Sequence, residues 1–221
     1  MGFNLLGLPN STEFNKRIPK QKFYEHLSVT PAIKKVFTEQ IKMIYWRNKL
    51  AATTLNIAAG EQATEIEIFE VRINSPHLDE NVLCWIDREI PYHILFLLEQ
   101  GGKYQAVMGY KEAVTSEKTA FKVERYYYTK WMPEEELPIH IDGLNLDIVY
   151  ENFVKQIAGD SLSGKENTTL KESVERQKKC EQLERQIVRL ESFIKKEKQL
   201  NRQIEMNVEL KRLRNEVKRI K

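Results

Sequence analysis

The sequence predicts an α+β domain, an antiparallel sheet with packed helices, followed by a long C-terminal amphipathic helix of coiled-coil character. Three observations carry that reading. Between Glu65 and Thr129 lie runs that alternate or saturate in apolar residues around a Gly-Gly pair, the mark of neighbouring strands. Helical apolar spacing flanks those runs on both sides. From Leu170 onward the chain has neither proline nor glycine, and its apolar residues step by three and four.

The elements follow in order. A short helix is expected after Pro19, with Phe23 and Leu27 on one side. Thr30-Pro31 opens a clearer one, because Thr is a favoured N-cap and Pro at the first helical position lacks only an N–H that would be unpaired anyway. Ile33, Val36, Phe37, Ile41 and Ile44 recur at helical spacing along it. Glu65 to Ile73 alternates like a strand, with a phase slip between Ile68 and Phe69 that a bulge or burial on both faces would explain. Asp79 to Arg88 reads as a helix with Val82, Leu83 and Ile86 inward, closed before Pro91. Gly101-Gly102 then joins two strands, His93 to Glu99 and Lys103 to Lys111, in a tight hairpin. Phe121, Val123, Arg125, Tyr127 and Thr129 mark one face of another strand, with Tyr126 and Tyr128 on the other. Asp147 is placed to cap a last domain helix carrying Val149, Phe153 and Ile157, ended by Gly159. The expected order is α-α-β-α-β-β-β-α, and strands joined by short turns imply antiparallel pairing. Three segments result: a domain over 1–158, a polar Gly/Ser-containing linker over 159–169, and the basic helix over 170–221.

That last segment carries two seams. Cys180, Leu183, Ile187, Leu190 and Ile194 share one heptad phase, while Met206, Leu210, Leu213, Val217 and Ile220 share another. Glu197 and Asn201 fall where the first phase demands apolar residues. Two packing surfaces on one helix, or a bend between two helices, fit the change of phase. Leu183, Ile187, Leu190, Ile194, Met206, Leu210, Leu213 and Val217 are the expected contacts for a larger protein partner or for self-association.

Composition bounds the rest. With 41% hydrophobic and 10% aromatic residues, the chain has enough apolar side chains for a core. Its first residues lack a basic segment and a long apolar run, so a secretory signal is not expected, and no Ser or Thr stands where a myristoylation motif needs one. The longest apolar stretch, Ile94 to Leu98, is far below the ~18 residues that suggest a membrane span. Cys84 and Cys180 are expected to be reduced thiols of a cytoplasmic protein. The net charge of +3 conceals an asymmetry: residues 171–221 carry 16 Lys and Arg against 9 Asp and Glu, so the body is acidic and the tail basic.

The residues point to no catalytic site, cofactor site or metal site. Gly159-Asp-Ser-Leu-Ser-Gly164-Lys165 matches the first positions of a phosphate-binding loop, but Glu166 replaces the magnesium-binding Ser or Thr and a helix precedes where a strand is needed. A metal-dependent nuclease needs clustered carboxylates with a nearby lysine. Glu65, Glu67, Glu99 and Glu124 are candidates for such a divergent site, but Glu65 and Glu67, with Glu70, have no matching lysine downstream at strand spacing, Gly109-Tyr-Lys111 after Glu99 lacks the Glu, and Lys122-Val-Glu124 has the charges reversed. His26, His77, His93 and His140 are scattered, whereas zinc requires clustered ligands. Two features suit nucleic acid. Tyr126 and Tyr128 offer rings for stacking, and Lys211, Arg212 and Arg214 offer contacts to phosphates, although glutamates interleave the basic residues throughout the tail.

Four segments together resemble one bacterial family: Ile18-Pro-Lys-Gln-Lys-Phe-Tyr-Glu25, Ile44-Tyr-Trp-Arg-Asn-Lys-Leu50 with Thr54-Leu-Asn-Ile57, Ile86-Asp-Arg-Glu-Ile-Pro91, and Lys198-Gln-Leu-Asn-Arg-Gln-Ile-Glu-Met-Asn-Val-Glu-Leu210. Over nearly its whole length the chain looks like domain-of-unknown-function family 4391. The resemblance transfers no catalytic residue. It implies a non-catalytic accessory subunit of a restriction-like, anti-phage complex with helicase or DNA methyltransferase partners. A DNA-binding subunit and a divergent nuclease are the alternatives. The helix through Ile44 to Leu50 is expected to continue the one that begins at Pro31.

Overall fold

A computed structural model describes residues 5–26, 30–113, 121–162 and 168–220. The chain forms two compact units, Met1–Ala158 and Gly159–Lys221.

Among the described residues, six strands of the first unit form one sheet in sequence order: β1 (Glu13–Ile18), β2 (Ile41–Ala51), β3 (Glu65–Ile73), β4 (His93–Gln100), β5 (Lys103–Ala113) and β6 (Phe121–Tyr128). All neighbours pair antiparallel except β3 and β4, which run parallel. The wholly antiparallel sheet expected from short connections is corrected at that one pair. Helix α4 (Glu80–Glu89) carries the chain back between β3 and β4, and such a return forces parallel pairing. Asp79 caps α4 by accepting the Asn81 N–H at 2.9 Å.

Helices α1 (Gln21–His26), α2 (Pro31–Gln40) and α4 cover one face of the sheet. Phe23, Phe37, Val82, Leu83 and Ile86 there join Ile44, Phe69, Val71, Phe96, Leu98 and Val107 in a single apolar core. Leu27 and the side chain of Ile33 lie outside the described residues. The other face is covered by α5 (Leu146–Ala158), with Val149, Phe153, Val154 and Ile157 buried. A one-turn helix, α3 (Ala52–Leu55), follows β2.

Three further expectations are corrected. The helix opened by Pro31 stops at Gln40, and Ile41 and Ile44 belong to β2. The run Ile41-Lys-Met-Ile-Tyr-Trp is rich in β-branched and aromatic residues, and pairing with both β1 and β3 overrides its helical spacing. Strand β1, missed in the sequence, is an edge strand with three consecutive exposed positions and little apolar alternation. Asp147 does not cap α5. Its carboxylate accepts the backbone N–H groups of Glu61, Gln62 and Ala63 at 2.7, 3.0 and 2.7 Å, while Asn145 accepts the Ile148 N–H. That clasp requires glycine at position 60, since a Cβ there would lie 2.2 Å from the Asp147 carboxylate.

The phase slip in β3 has two sources. The strand is buried on both faces, and the opposing β2 has one extra residue, Arg47, between the pairs Trp46–Phe69 and Asn48–Ile68. A second bulge sits at Glu124, between the pairs Tyr110–Arg125 and Lys111–Val123. It splits the single face expected for β6, so that Val123 and Tyr126 join the α4-side core. Gly101 and Gly102, with φ of +59° and +80°, make the expected tight hairpin.

The second unit holds two helices, α6 (Leu170–Lys196) and α7 (Leu200–Ile220). The change of heptad phase is therefore a break between helices. Glu197, one of the residues out of phase, builds it: its backbone is extended, and its carboxylate accepts the N–H groups of Lys198 and Gln199 at 2.8 and 2.9 Å. The start of α6 is a capping box. Thr169 accepts the Glu172 N–H and Glu172 accepts the Thr169 N–H, a pattern readable in Thr169-Leu-Lys-Glu172. Of the expected 159–169 linker, residues 163–167 lie outside the described part, including the Gly164-Lys165 end of the phosphate-loop match.

Candidate functional site

The C-terminal unit is a helical hairpin whose inner seam the chain fills by itself. Leu183 of α6 meets Leu213 and Val217 of α7 in a buried cluster, with Ile187, Leu190 and Ile220 packed against it. Leu210 is also buried, and Ile194 and Met206 are half-buried. The eight residues expected to receive a partner thus lie on the inward faces of this small unit. Ion pairs Lys179–Glu216 at 3.1 Å and Arg214–Glu191 at 2.7 Å link the two helices.

A different apolar row faces solvent. Leu200, Ile204 and Val208 of α7 are 68%, 54% and 66% exposed and stand four residues apart, on the side opposite Leu210, Leu213 and Val217. The same face continues C-terminally through exposed Lys211, Asn215 and Lys218. Of the basic residues expected to contact phosphates, Arg212 is held by Glu209 through two 2.8 Å hydrogen bonds and Arg214 by Glu191.

The Tyr-rich strand lies beneath α4. Tyr126, only 6% exposed, donates its hydroxyl to Asp87, and Tyr128, 38% exposed, donates to Glu80 at 2.7 Å. The Tyr126 ring is therefore a core group, closed to a stacking base. Asp87 also pairs with Lys111 of β5 at 2.7 Å, and Lys111 Nζ donates to the Tyr92 carbonyl at 2.6 Å. Burial pushes the Asp87 carboxyl up, against the pull of Lys111 and Tyr126. The Lys111 backbone N–H donates to the Tyr150 hydroxyl of α5, and that ring stacks on His93 at 3.9 Å.

His93 is structural. Burial first, then the Lys111 charge, lowers it from an ordinary 6.5 to about 3. Between those values the unfolded chain binds more protons than the native one, so stability is lost as pH falls through that window, by up to about 1.4 kcal/mol per pH unit. Urea midpoints at pH 7, 5 and 4 should fall less steeply in His93→Gln. The comparison belongs in a Glu67→Gln background, because Glu67 contributes the opposite slope between about 4.5 and 7.

Of the four carboxylates considered for a nuclease, the fold gathers two. Glu65 and Glu67 share the α4 side of β3, and β2 sets Lys49 directly opposite Glu67. This upstream lysine was missed because it belongs to a strand read as helix; its Nζ lies 2.8 Å from Glu65. Glu99 sits instead near Arg72, beside the closed group in which fully buried Glu70 accepts from Arg47 and Arg72, both at 2.6 Å. Glu124 pairs with Lys122 at 3.0 Å. Among the described residues no group of three or more acidic, His or Cys side chains is placed to hold a metal.

Glu67 is only 2% exposed, and its Oε2 has no hydrogen-bond partner. It lines a cavity of about 510 Å³ whose walls are Ile18, Phe23, Trp46, Phe69, Ile90, Pro91 and Tyr92, with Lys22 and Glu89 exposed at its rim. Burial is the largest influence raising the Glu67 carboxyl to about 7; the neighbouring Trp46 and Lys49 oppose it, and Glu65 reinforces it.

Cys84 and Cys180 are both free thiols. No helix among the described residues is long and apolar enough to cross a membrane. A family model described as "Domain of unknown function (DUF4391)" matches residues 6–217. Comparison with curated proteins and with solved structures gives no match.

Proposed function

The chain belongs to the DUF4391 family, and from that premise we propose that it is a non-catalytic assembly subunit that docks on a larger protein through the outer face of α7. The single observation that carries this reading is the exposed row Leu200, Ile204 and Val208 on a hairpin whose inner seam is already filled. Such a row spans about 12 Å at 1.5 Å per residue, two turns of helix, which suits the apolar stripe of one partner helix. Lys211 and Lys218 at the end of the same face call for acidic residues on that helix. The partner is a helicase or DNA methyltransferase of a restriction-like defence complex, the setting that the family resemblance implies. DNA is a weaker occupant, since the apolar row offers phosphates nothing and Arg212 and Arg214 already have carboxylate partners.

The test is co-purification from the native host, followed by reconstitution with the captured protein. Burying a Leu or Ile contributes about 1.5–3 kcal/mol, so Leu200→Asp with Ile204→Asp should weaken the complex by at least about a hundredfold. Lys211→Glu with Lys218→Glu should cost about thirtyfold or less, as exposed ion pairs contribute about 0–1 kcal/mol each. Undiminished binding by the Asp variant would remove α7 as the docking face.

A further inference from the structure

Charge is unevenly divided within the first unit itself. Residues 1–50 carry nine Lys and Arg against three Asp and Glu, whereas residues 51–158 carry nine against eighteen. The basic segment supplies β1 and β2, the two strands at one edge of the sheet, with α1 and α2 between them in the chain. The fold gathers its cations. Arg17 pairs with Tyr45 in the β1–β2 ladder. Lys20, just beyond β1, donates its Nζ to the carbonyls of Thr38 and Ile41. Those bonds fix the end of β1 against the junction of α2 and β2, where Lys42 follows Ile41. Lys34 stands one turn before Thr38, whose hydroxyl donates to the Lys34 carbonyl at 2.8 Å. Lys16, Arg17, Lys22, Lys34, Lys35 and Lys42 are all exposed. Few carboxylates offset them. Glu39 meets Lys35 at 3.7 Å on the surface, Glu13 accepts from Asn15 at 3.3 Å, and the side chain of Glu25 lies outside the described residues. Cations guard an edge strand against wrong pairing, which accounts for Lys16 and Arg17. That role does not extend to Lys22, Lys34, Lys35 and Lys42, on the helices and on β2.

We infer that this basic edge binds the phosphate backbone of duplex DNA, without reading its sequence. An acidic protein is the poorer occupant. Protein interfaces have an apolar centre and are depleted of lysine, and the large exposed apolar side chains among the described residues all lie outside residues 1–50. Strongly positive, polar surfaces are the mark of nucleic-acid contacts. A single strand is also the poorer occupant, because its bases are held on free aromatic faces. The rings beside these cations are already covered. Tyr45 carries the guanidinium groups of Arg47 and Arg72 at 4.4 and 5.2 Å from its centre. Phe14 and Trp46 lie 4.0 Å apart, with Lys16 over the Phe14 ring. Phosphates remain for the cations to contact, and such contacts position a duplex without specifying bases. The site lies in the first unit and does not depend on the docking role of α7.

The test is fluorescence anisotropy of a short labelled duplex of mixed sequence, titrated with the full chain over a series of salt concentrations. Affinity should be of micromolar order in about 0.05 M salt and fall with a log–log slope of about −0.9 per phosphate neutralised. Arg17→Gln with Lys42→Gln should reduce the steepness of that slope by about 1.8 and weaken binding about tenfold or more. Both side chains are exposed, so the melting curve should not change. Arg212→Gln with Arg214→Gln should leave the slope as it is, which separates this edge from the basic tail. The same sequence as a single strand should bind more weakly, and polyglutamate, with its lower charge density, should compete poorly. The inference is overturned if the Arg17 and Lys42 variant keeps the full slope or if the Arg212 and Arg214 variant abolishes binding. It is equally overturned if the single strand or polyglutamate binds as tightly as the duplex, or if no duplex binds in about 0.05 M salt.

Discussion

Lys111→Met is expected to lower the unfolding free energy by about 3–5 kcal/mol, because it strands a carboxylate in the core without its cation. The Lys111 and Asp87 side chains are 2% and 1% exposed and 2.7 Å apart. Tyr126 still donates to Asp87 in the variant, but a neutral donor does not replace a cation. The sign with pH follows from the cause. Burial already pushes the Asp87 carboxyl up, and without Lys111 it rises further. A folded-state value above the unfolded one means that stability is lost as pH rises, so the deficit should be larger at pH 8 than at pH 5. Urea titrations at both values measure it. Lys111→Met with Asp87→Asn should recover part of the loss, since an amide accepts from Tyr126 without bearing charge. A loss below about 1 kcal/mol in the single variant would show that the pair is not what holds this region together.

The pair matters because of where it ties the fold. Lys111 follows the register shift between β5 and β6, reaches α4 through Asp87, and holds the turn before β4 through the Tyr92 carbonyl. The same residue's backbone N–H reaches α5 through Tyr150. Both helical layers and the sheet between them are therefore coupled at one lysine. Tyr92 also walls the Glu67 cavity, so the charge pair positions one side of it.

How far the sequence reveals this depends on the range of each interaction. The turn at Gly101-Gly102, the α4 boundaries and β3 were legible, because local chemistry decides them: φ above zero, an Asp N-cap, alternation of side chains. The break at Glu197 was legible as a change of heptad phase, although phase alone does not distinguish a bend from a second surface. What escaped was decided by distant partners. Helical spacing at Ile41 and Ile44 is compatible with a strand once β1 and β3 lie on either side, and pairing then decides. Asp147 resembles a helix cap in sequence, yet it serves a loop 84 residues away. The cavity depends on both kinds of miss. Lys49 was hidden in a strand read as helix, and Glu67 looked like one of several solvated strand carboxylates until the α4 side of the sheet was covered. The seam residues Leu183, Leu213 and Val217 were recognised as apolar contacts, but periodicity does not say whether the contact is another protein or the chain itself.

That ambiguity has a direct test with a large expected effect. Leu183→Asp with Leu213→Asp should open the hairpin, since the pair supplies two of the three buried residues of its central apolar cluster. Each burial contributes about 1.5–3 kcal/mol, and an uncompensated carboxylate in the seam adds a desolvation cost. Beyond the other seam residues, the links are surface ion pairs, Lys179–Glu216 and Arg214–Glu191, worth about 0–1 kcal/mol each, too little to offset two charges placed inside the seam. Far-UV circular dichroism should lose helical signal, and limited proteolysis should cut within 170–220. The unit Met1–Ala158, compact with its own core, should keep its cooperative melting transition. By contrast, Leu200→Asp with Ile204→Asp should leave the helical signal unchanged, because those side chains already face water. Charge reversal at Lys195 and Lys196 should cost only about 0.3–1 kcal/mol each, the value of a cation at a helix C-terminus. If instead the seam variant stays helical while the outer-face variant unfolds, the assignment of the two faces is reversed, and the docking surface moves to the residues around Leu183.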